Sequence, residues 1–235
     1  MSQAHETGTA QLTLLRGADL VASPWKNGGG VTREIAVANV SKAVAKAAPN
    51  AAPGAAPDAF AWRVSVADVA QAGPFSRFEG VARTLVLLEG AGMVLDETAP
   101  SGGALVRTHT LTRALDVARF DGEAPIDARL VDGPTRDFNL MVRRDAARAS
   151  FDVWRDNVAR RIEADTVLLY CAQGAVNVCV NGGEPTRLAA GDTLRIDTTA
   201  AADLARAVRI ETRIETQGGG ALLAIALDLV NAHAD

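Results

Sequence analysis

Short runs of alternating apolar and polar residues, separated by glycine and proline, recur along the chain. They include FAWRVSVADV, RTLVLLEGAGMVL, ALDVARF, DFNLMVRR, TVLLYCAQG, AVNVCVNGG, TLRID and ALLAIALDLV. This spacing predicts many antiparallel strands in a sandwich or barrel, and NGG at 181–183 predicts a tight hairpin turn. Helical signals are few, and the best are SVADVAQ at 65–71 and the stretch at 145–164. The pattern therefore predicts an all-β protein with few short helices.

Three of the predicted strands carry a row of polar side chains on one face, because side chains alternate with period two. A half-exposed sheet shows the same alternation for solubility alone. Arginine, asparagine, aspartate and serine in these rows instead favour a binding surface for a planar anion, since their hydrogen-bonding geometry is fixed. The polar rows of the three strands hold Thr32 and Glu34; Arg63 and Ser65; and Asp137, Asn139 and Arg143. In the same order, the opposite, mainly apolar faces hold Val31, Ile35 and Val37 with Arg33; Phe60, Trp62, Val64 and Val66; and Phe138, Leu140 and Val142.

The glycine cluster in PWKNGGG, residues 24–30, raises the question of a phosphate loop. Such a loop needs a helix after the glycines and a lysine behind the last of them. Here Lys26 precedes the glycines and a strand-like run follows, so a phosphate site is excluded. Two interpretations stay open: a tight turn that needs positive φ angles, and a pocket wall in which the Gly29 backbone, Lys26 and Asn27 meet a carboxylate. In GPFSRFEG, residues 73–80, we interpret Phe75 and Phe78 as core residues and Ser76 as a hydrogen-bond donor.

Composition narrows the functional classes. The chain has 235 residues, 48% of them hydrophobic, so it can bury a substantial core. A net charge of -4 and a pI near 5.4 give no basic field for nucleic acid or an acidic membrane. No secretion signal or apolar span of about 20 residues is recognisable, so we expect a cytoplasmic protein. Cys171 and Cys179 lie in strand-like runs and are interpreted as buried thiols.

Several motifs resemble the HutD family, whose other named branch is Ves. They are PWKNGGGVTREI, the run from FAWRVSVADV through GAGMVL, FDGE with LVDGPTRDFNLMVRR, and LAAGDTL, in which we expect Asp192 to cap the turn. The resemblance implies a bicupin, two cupin β-barrels of the jelly-roll type. We expect residues 10–145 to form the first barrel, with the ligand pocket and a flexible Ala/Pro insertion at 41–59, and residues 146–235 to form the second. The resemblance also implies a role in bacterial histidine utilisation through binding of a pathway intermediate, with N-formylglutamate favoured.

Metal-binding cupins carry two or three clustered histidines and a glutamate on their barrel strands. This chain has only His5, His109 and His233, which are scattered, and we interpret His109 as a surface strand residue. We therefore expect no metal and no other cofactor.

The combined expectation is a protein that binds a small anionic metabolite, with no nucleic acid or membrane partner and with a homodimer permitted. Arg63 and Lys26 would pair with carboxylates, while Glu34 and Asp137 would orient these cations. Hydrogen bonds would come from Asn27, Thr32, Ser65, Ser76 and Asn139, the Gly29 backbone would line the pocket, and Arg83, Arg33 and Arg143 are second choices as cations.

Two other functional classes stay open. One is a metal-independent isomerase or hydrolase that uses Glu34 or Asp137 as general base and an arginine as electrostatic stabiliser. The other is a protein-interaction role in the regulation of catabolic genes.

The scattered histidines lead to the first prediction. Protein purified without an affinity tag and then dialysed should hold far less than one equivalent of any transition metal, because imidazole ligands do not converge. Elemental analysis measures this, and stoichiometric iron, manganese or zinc would refute the metal-free assignment.

Overall fold

The computed structural model describes residues 10–40, 60–100, 103–198, 207–214 and 219–230. Antiparallel strands dominate these residues, with a single 3-10 turn at Gly17–Asp19. No helix in the described ranges is long and apolar enough to cross a membrane. The predicted insertion at 41–59 lies outside the described residues.

The chain divides into two compact units. Leu20–Arg148 makes up most of one, here called the N-terminal unit. Ala149–Leu229 makes up most of the other, the C-terminal unit, and the first strand belongs with it. The sequence placed residues from 10 onward in the first barrel, whereas this strand pairs within the C-terminal unit, from Ala10 opposite Thr198 to Leu15 opposite Thr193.

The N-terminal unit contains two antiparallel sheets. The six-stranded sheet has the order β2 (Ala22–Pro24), β3 (Gly30–Asn39), β4 (Phe60–Val69), β11 (Thr135–Arg143), β6 (Val81–Glu89) and β9 (Val117–Asp121). The four-stranded sheet has the order β5 (Gly73–Pro74), β10 (Ile126–Leu130), β7 (Met93–Thr98) and β8 (Leu105–Leu111).

Strand β11 lies at the centre of the larger sheet, between β4 and β6. Asn139 pairs with Ser65 on one side and with Leu85 on the other. Residues directly opposite each other in an antiparallel pair share a face. Leu85 packs with Met93 and Leu95 of the smaller sheet in one core, so this face of β4, β11 and β6 is turned toward that sheet.

The predicted apolar row on the opposite face of the larger sheet is buried. Phe138, Val64 and Val66 are each at most 5% exposed. One departure from simple alternation is in β3, where a bulge between Glu34 and Ala36 shifts the register and sets Val37 opposite Arg63. Val37 therefore does not share the face of Val31 as predicted, since a bulge reverses the alternation beyond it.

The C-terminal unit also contains two sheets that share one core. The five-stranded sheet has the order β1 (Ala10–Leu15), β17 (Thr193–Thr198), β14 (Thr166–Gln173), β19 (Ala221–Leu229) and β12 (Ala147–Trp154). The four-stranded sheet has the order β13 (Ala159–Glu163), β18 (Ala207–Ile214), β15 (Ala175–Val180) and β16 (Thr186–Ala189).

The hairpin turn predicted in the C-terminal unit is confirmed, whereas both predicted helices, one in each unit, are wrong. Asn181 and Gly182 both have positive φ angles, 52° and 74°, as the NGG hairpin requires. The helix predicted at 145–164 is wrong, because these residues form β12 and β13. The other helix prediction, 65–71, is wrong as well, since most of it completes β4. In both places pairing with neighbouring strands overrides a weak local preference for helix.

The two cysteines lie on β14 and β15. Cys171 is fully buried, and this burial raises the pKa of its thiol to about 11. Cys179 is only partly buried. The expectation of a buried thiol is thus confirmed for Cys171 alone.

Asp192 attaches the first strand to the C-terminal unit. Its carboxylate accepts hydrogen bonds from the backbone N–H groups of Ala189 and Gly17, and from Arg16 Nη1 at 2.7 Å. The predicted turn cap is confirmed, and the contacts to residues 16 and 17 are additional. Burial acts to raise the pKa of Asp192, but the hydrogen bonds from Ala189, Arg16 and Gly17 hold it below its ordinary value.

We predict that Asp192→Ala lowers the unfolding free energy by roughly 2–4 kcal/mol, because it removes several hydrogen bonds to one buried carboxylate. The lowered pKa means that this contribution is present above the ordinary pKa of 3.8 and is lost as pH falls through the folded value. Urea melts at pH 7 and pH 3 measure it, with Asp132→Ala as an exposed control. Equal effects of the two substitutions at pH 7 would contradict the attachment.

Candidate functional site

A cavity of about 560 Å³ lies in the N-terminal unit, against the face of β4, β11 and β6 that is turned toward the smaller sheet. The segments before β3 and after β5 contribute further lining residues. The cavity brings together nine of the predicted ligand-binding residues: Lys26, Asn27, Thr32, Arg63, Ser65, Ser76, Arg83, Asp137 and Asn139.

Four of the site residues suggested by the sequence do not line this cavity. Glu34 is half-exposed and accepts a hydrogen bond from Arg63. Arg143 donates to the backbone oxygens of Phe60 and Glu79, and its guanidinium lies 5.7 Å from the Phe60 ring centroid. Gly29 is buried within its turn, and the second-choice cation Arg33 forms an ion pair with Asp68.

Arg83 is the most deeply buried cation in the cavity wall, with 7% of its surface exposed. Its guanidinium carbon lies 5.1 Å from the ring centroid of Phe120, 5.2 Å from that of Phe75 and 5.7 Å from that of Phe78. Among the described residues, the Arg83 guanidinium donates two long hydrogen bonds, both at 3.4 Å, to the Ser76 backbone oxygen and to Asn139 Oδ1. No ion pair to a carboxylate forms within the described part of the chain, and Arg83 Nε lacks any hydrogen-bond partner there. Burial lowers the pKa of Arg83 to about 10.

Asp137 is fully buried in the wall of the same cavity. Its Oδ2 accepts a hydrogen bond from the Thr135 hydroxyl at 3.2 Å, and its Oδ1 has no hydrogen-bond partner among the described residues. Burial raises the pKa of Asp137 to about 7, the Thr135 hydrogen bond opposes that rise, and the negative charge of Asp68 adds to it. A carboxyl group in this state changes its charge near neutral pH.

Arg63 differs from Arg83 in both exposure and pairing. Its side chain is 30% exposed, and its Nε donates to Glu34 Oε2 at 2.9 Å. The pair is accessible to water, which weakens it. Arg63 thus lines the cavity with its charge already partly compensated.

The glycine cluster forms a tight turn at the edge of the cavity. Asn27 Oδ1 accepts a hydrogen bond from the Gly29 N–H, so this N–H is satisfied within the turn. Gly28 has a φ of 72°, and a Cβ on Gly30 would overlap the backbone oxygen of Asp68 and lie 3.2 Å from the Trp25 ring. The turn interpretation is correct, and close packing at Gly30 is an additional reason for glycine.

Trp25 and Thr32 connect this turn to β3. Trp25 Nε1 donates to Thr32 Oγ1 at 2.8 Å, and Trp25 packs against the core of the unit. Both residues line the cavity. The Thr32 hydroxyl therefore already accepts one hydrogen bond within the protein.

Some features of the site were not found from the sequence. Phe120 lies on β9, from which no site residue is predicted, and its position opposite Arg83 brings it into contact. His109 is not a surface residue: its side chain is 13% exposed, it lies opposite the core residue Leu95, and its ring centroid is 6.0 Å from that of Phe120. The described residues contain no group of three or more potential metal ligands.

We predict that substitution by alanine destabilises the protein less at Gly28 than at Gly30. Gly28→Ala should cost about 1–2 kcal/mol, because it strains only a left-handed backbone with open space around it. Gly30→Ala should destabilise the protein more and shift the tryptophan fluorescence, because the new methyl group displaces Trp25 or β4. Thermal melts and emission spectra of both variants test this. A milder effect at Gly30 than at Gly28 would contradict the packing described.

Several bacterial proteins are similar in sequence to this chain. The chain is 36% identical over 190 residues to an uncharacterized 21.2 kDa protein in the hutC 3′ region of Pseudomonas putida, covering 80% of this chain and 88% of that protein. It is 38% identical over 130 residues to protein Ves of Cronobacter sakazakii, covering 55% of this chain and 59% of that protein.

Two solved structures are similar in fold to this chain. HutD from Pseudomonas fluorescens SBW25, in a formate condition, matches with a TM-score of 0.72 at 28% identity, covering 94% of this chain and 100% of that one. A cupin 2 conserved barrel domain protein from Leptotrichia buccalis matches with a TM-score of 0.53 at 10% identity, covering 92% of this chain and 96% of that one. The second likeness concerns the fold alone, and it agrees with the predicted cupin type.

The HutD family matches residues 17–217, which include all the residues that line the cavity. The chain therefore belongs to the HutD family.

Proposed function

We propose that the cavity of the N-terminal unit binds a small anionic metabolite, and that Arg83 is the residue that meets a carboxylate of this ligand. The observation that carries the proposal is an arginine with 7% of its surface exposed, whose guanidinium forms no ion pair with a carboxylate of the described residues. An unpaired buried charge is costly, by several kcal/mol. A carboxylate in the cavity would remove this cost and add charge-assisted hydrogen bonds.

The aromatic contacts support a role in binding. Phe75, Phe78 and Phe120 offset part of the cost of burying Arg83, since a desolvated cation–π contact contributes about 2 kcal/mol. They donate no hydrogen bonds and carry no negative charge, so the N–H groups stay available. The rings thus hold the guanidinium beside the cavity without neutralising it.

Two further cations line the cavity, Arg63 and Lys26, and both are more exposed than Arg83. A ligand with two anionic groups could meet Arg83 with one of them and Arg63 or Lys26 with the other. Arg63, which the sequence suggested as the first carboxylate partner, takes the second position because it is already paired with Glu34.

N-formylglutamate has the matching chemistry, with two carboxylates and a neutral formamide. The hutC region in the name of the Pseudomonas putida relative supports an acid from histidine breakdown as the ligand. We accordingly propose a regulatory role in histidine utilisation, in which occupancy of the cavity reports the level of the intermediate. Formate, named in the condition of the Pseudomonas fluorescens HutD structure, is the minimal carboxylate probe.

A metal-independent isomerase or hydrolase is the second candidate function. It is favoured by Asp137, whose pKa near 7 suits a general base. Glu34, the other candidate base, is half-exposed, paired with Arg63 and outside the cavity lining.

Calorimetric titration with N-formyl-L-glutamate, glutarate and formate tests the proposal. We predict that Arg83→Ala weakens binding by about ten- to a hundredfold, the equivalent of a contact of roughly 1.5–3 kcal/mol. Arg83→Lys should restore only part of the affinity, because an ammonium lacks the planar fork. Arg63→Ala should have a smaller effect than Arg83→Ala, since the Arg63 side chain is 30% exposed and already paired with Glu34.

Arg129→Ala is the matched control, because it removes an equal charge from an exposed ion pair with Asp96 outside the cavity lining. Its affinity should equal that of the wild type. Unchanged affinity in a folded Arg83→Ala protein would refute the role of Arg83. Mass spectrometry of the recovered ligand separates binding from turnover, and an altered ligand mass would support the enzyme.

A further inference from the structure

We propose that Asp137 meets the ligand as a neutral carboxylic acid that donates a hydrogen bond, so that the cavity selects an anion with an uncharged carbonyl acceptor. This inference rests on the proposed binding function and defines the ligand class more narrowly. Asp137, at one end of the polar row of β11, is then the residue that determines ligand specificity.

The strand register separates Asp137 from Arg83 along the sheet. Asp137 pairs with Leu87, whereas Arg83 pairs with Met141. Four residues along a strand correspond to about 13 Å between backbone positions. The long Arg83 side chain reaches back as far as Asn139, which lies two residues from Asp137. A ligand of several atoms could therefore place a carboxylate on Arg83 and a second polar group near Asp137.

The surroundings of Asp137 favour its neutral form. Its cross-strand neighbours, Ala67 and Leu87, are apolar. Its Oδ2 already accepts the Thr135 hydroxyl, and its Oδ1 is fully buried with no partner among the described residues. No cation within that part of the chain forms an ion pair with it, so an ionised Asp137 would be a poorly compensated buried charge. A proton on Oδ1 removes the charge and supplies a donor.

Charged groups on the neighbouring elements act on the ionisation of Asp137: negative groups disfavour it and positive groups favour it. Asp68 on β4 disfavours ionisation of Asp137, and it is itself held by Arg33 and Arg136. Positive charge lines the cavity at Arg83 on β6, Arg63 on β4 and Lys26 before β3, with Glu34 of β3 paired to Arg63. On the smaller sheet, His109 of β8 lies 3.5 Å from Glu97 of β7. An anion in the cavity compensates the cations and adds negative charge, so it favours the protonated acid further.

The sign of the pH dependence follows from linkage. Free Asp137 has a pKa of about 7, and the bound anion raises it. Affinity is then constant below pH 7 and falls above it, by up to about tenfold per pH unit, because each binding event takes up one proton. Arg83 keeps its charge throughout this range, since its pKa is about 10. The ligand carboxylates titrate well below pH 6.

The experiment is calorimetric titration between pH 6 and 8.5, in buffers of different ionisation enthalpy that count the protons taken up. The probes are N-formyl-L-glutamate and L-glutamate, which differ in a neutral amide against an ammonium group. We expect N-formyl-L-glutamate to bind the wild type more tightly, with up to one proton taken up above pH 7. The Asp137→Asn protein should still bind N-formyl-L-glutamate, but its affinity should no longer depend on pH, because asparagine is neutral and of the same shape.

His109→Gln is the control, because it removes the imidazole whose ring centroid lies 6.0 Å from that of Phe120 and leaves Asp137 in place, and it should retain the wild-type pH profile. The inference is overturned if Asp137→Asn keeps that profile, if the wild-type profile is flat, or if folded Asp137→Asn loses binding at every pH. It is also overturned if L-glutamate binds more tightly as pH rises, which would show an ionised Asp137 that pairs with ammonium. Binding of neither probe, nor of formate or glutarate, at any pH would refute the proposed function itself.

Discussion

The register of β11 between β4 and β6 determines which side chains of these strands face the cavity of the N-terminal unit. Because Asn139 pairs with Ser65 and with Leu85, the polar residues of β4 and β11 share one face with Arg83. A slip of one residue would turn this row to the other face and bring Phe138 into the cavity. Burial of Phe138, Val64 and Val66 on the opposite face makes such a slip costly.

A protein that buries a guanidinium normally provides a carboxylate for it. Even the partly exposed Arg33 and Arg136 have such a partner, since Asp68 accepts hydrogen bonds from both. Arg83 instead contacts three aromatic rings and donates two long hydrogen bonds, while Asp137, a carboxyl group in the wall of the same cavity, is itself poorly solvated. Burial of a charge without an ionic partner is energetically unfavourable for both groups. A ligand that satisfies both would recover that free energy on binding, which connects the fold to the proposed function.

Much of this site could be predicted from the sequence, because strand alternation is a local property. Period two predicts the rows of Arg63 with Ser65 and of Asp137 with Asn139, and a tight turn is one of the two interpretations that the glycine cluster allows. The importance of Arg83 could not be derived in this way. It depends on Phe75, Phe78 and Phe120, which come from different parts of the chain and meet only through the pairing of β6 with β9 and the position of the loop after β5.

Other features were hidden for related reasons. The bulge in β3 reverses the alternation at Val37, and a bulge leaves no clear mark in a sequence of this composition. The first strand pairs with β17, nearly 180 residues away, so local patterns could not assign it to the C-terminal unit. The two wrong helix predictions have the same origin, since long-range strand pairing decides the structure of β4, β12 and β13.

The central claim is that Arg83 binds a ligand carboxylate in this cavity, and a crystal structure of the protein with N-formyl-L-glutamate at pH 6 tests it most directly. The account predicts a carboxylate in hydrogen-bond contact with the Arg83 guanidinium, at about 2.7–2.9 Å. It also predicts that an uncharged oxygen of the ligand faces Asp137. A ligand bound outside this cavity, or a guanidinium that turns to a protein carboxylate and leaves the ligand unpaired, would contradict it.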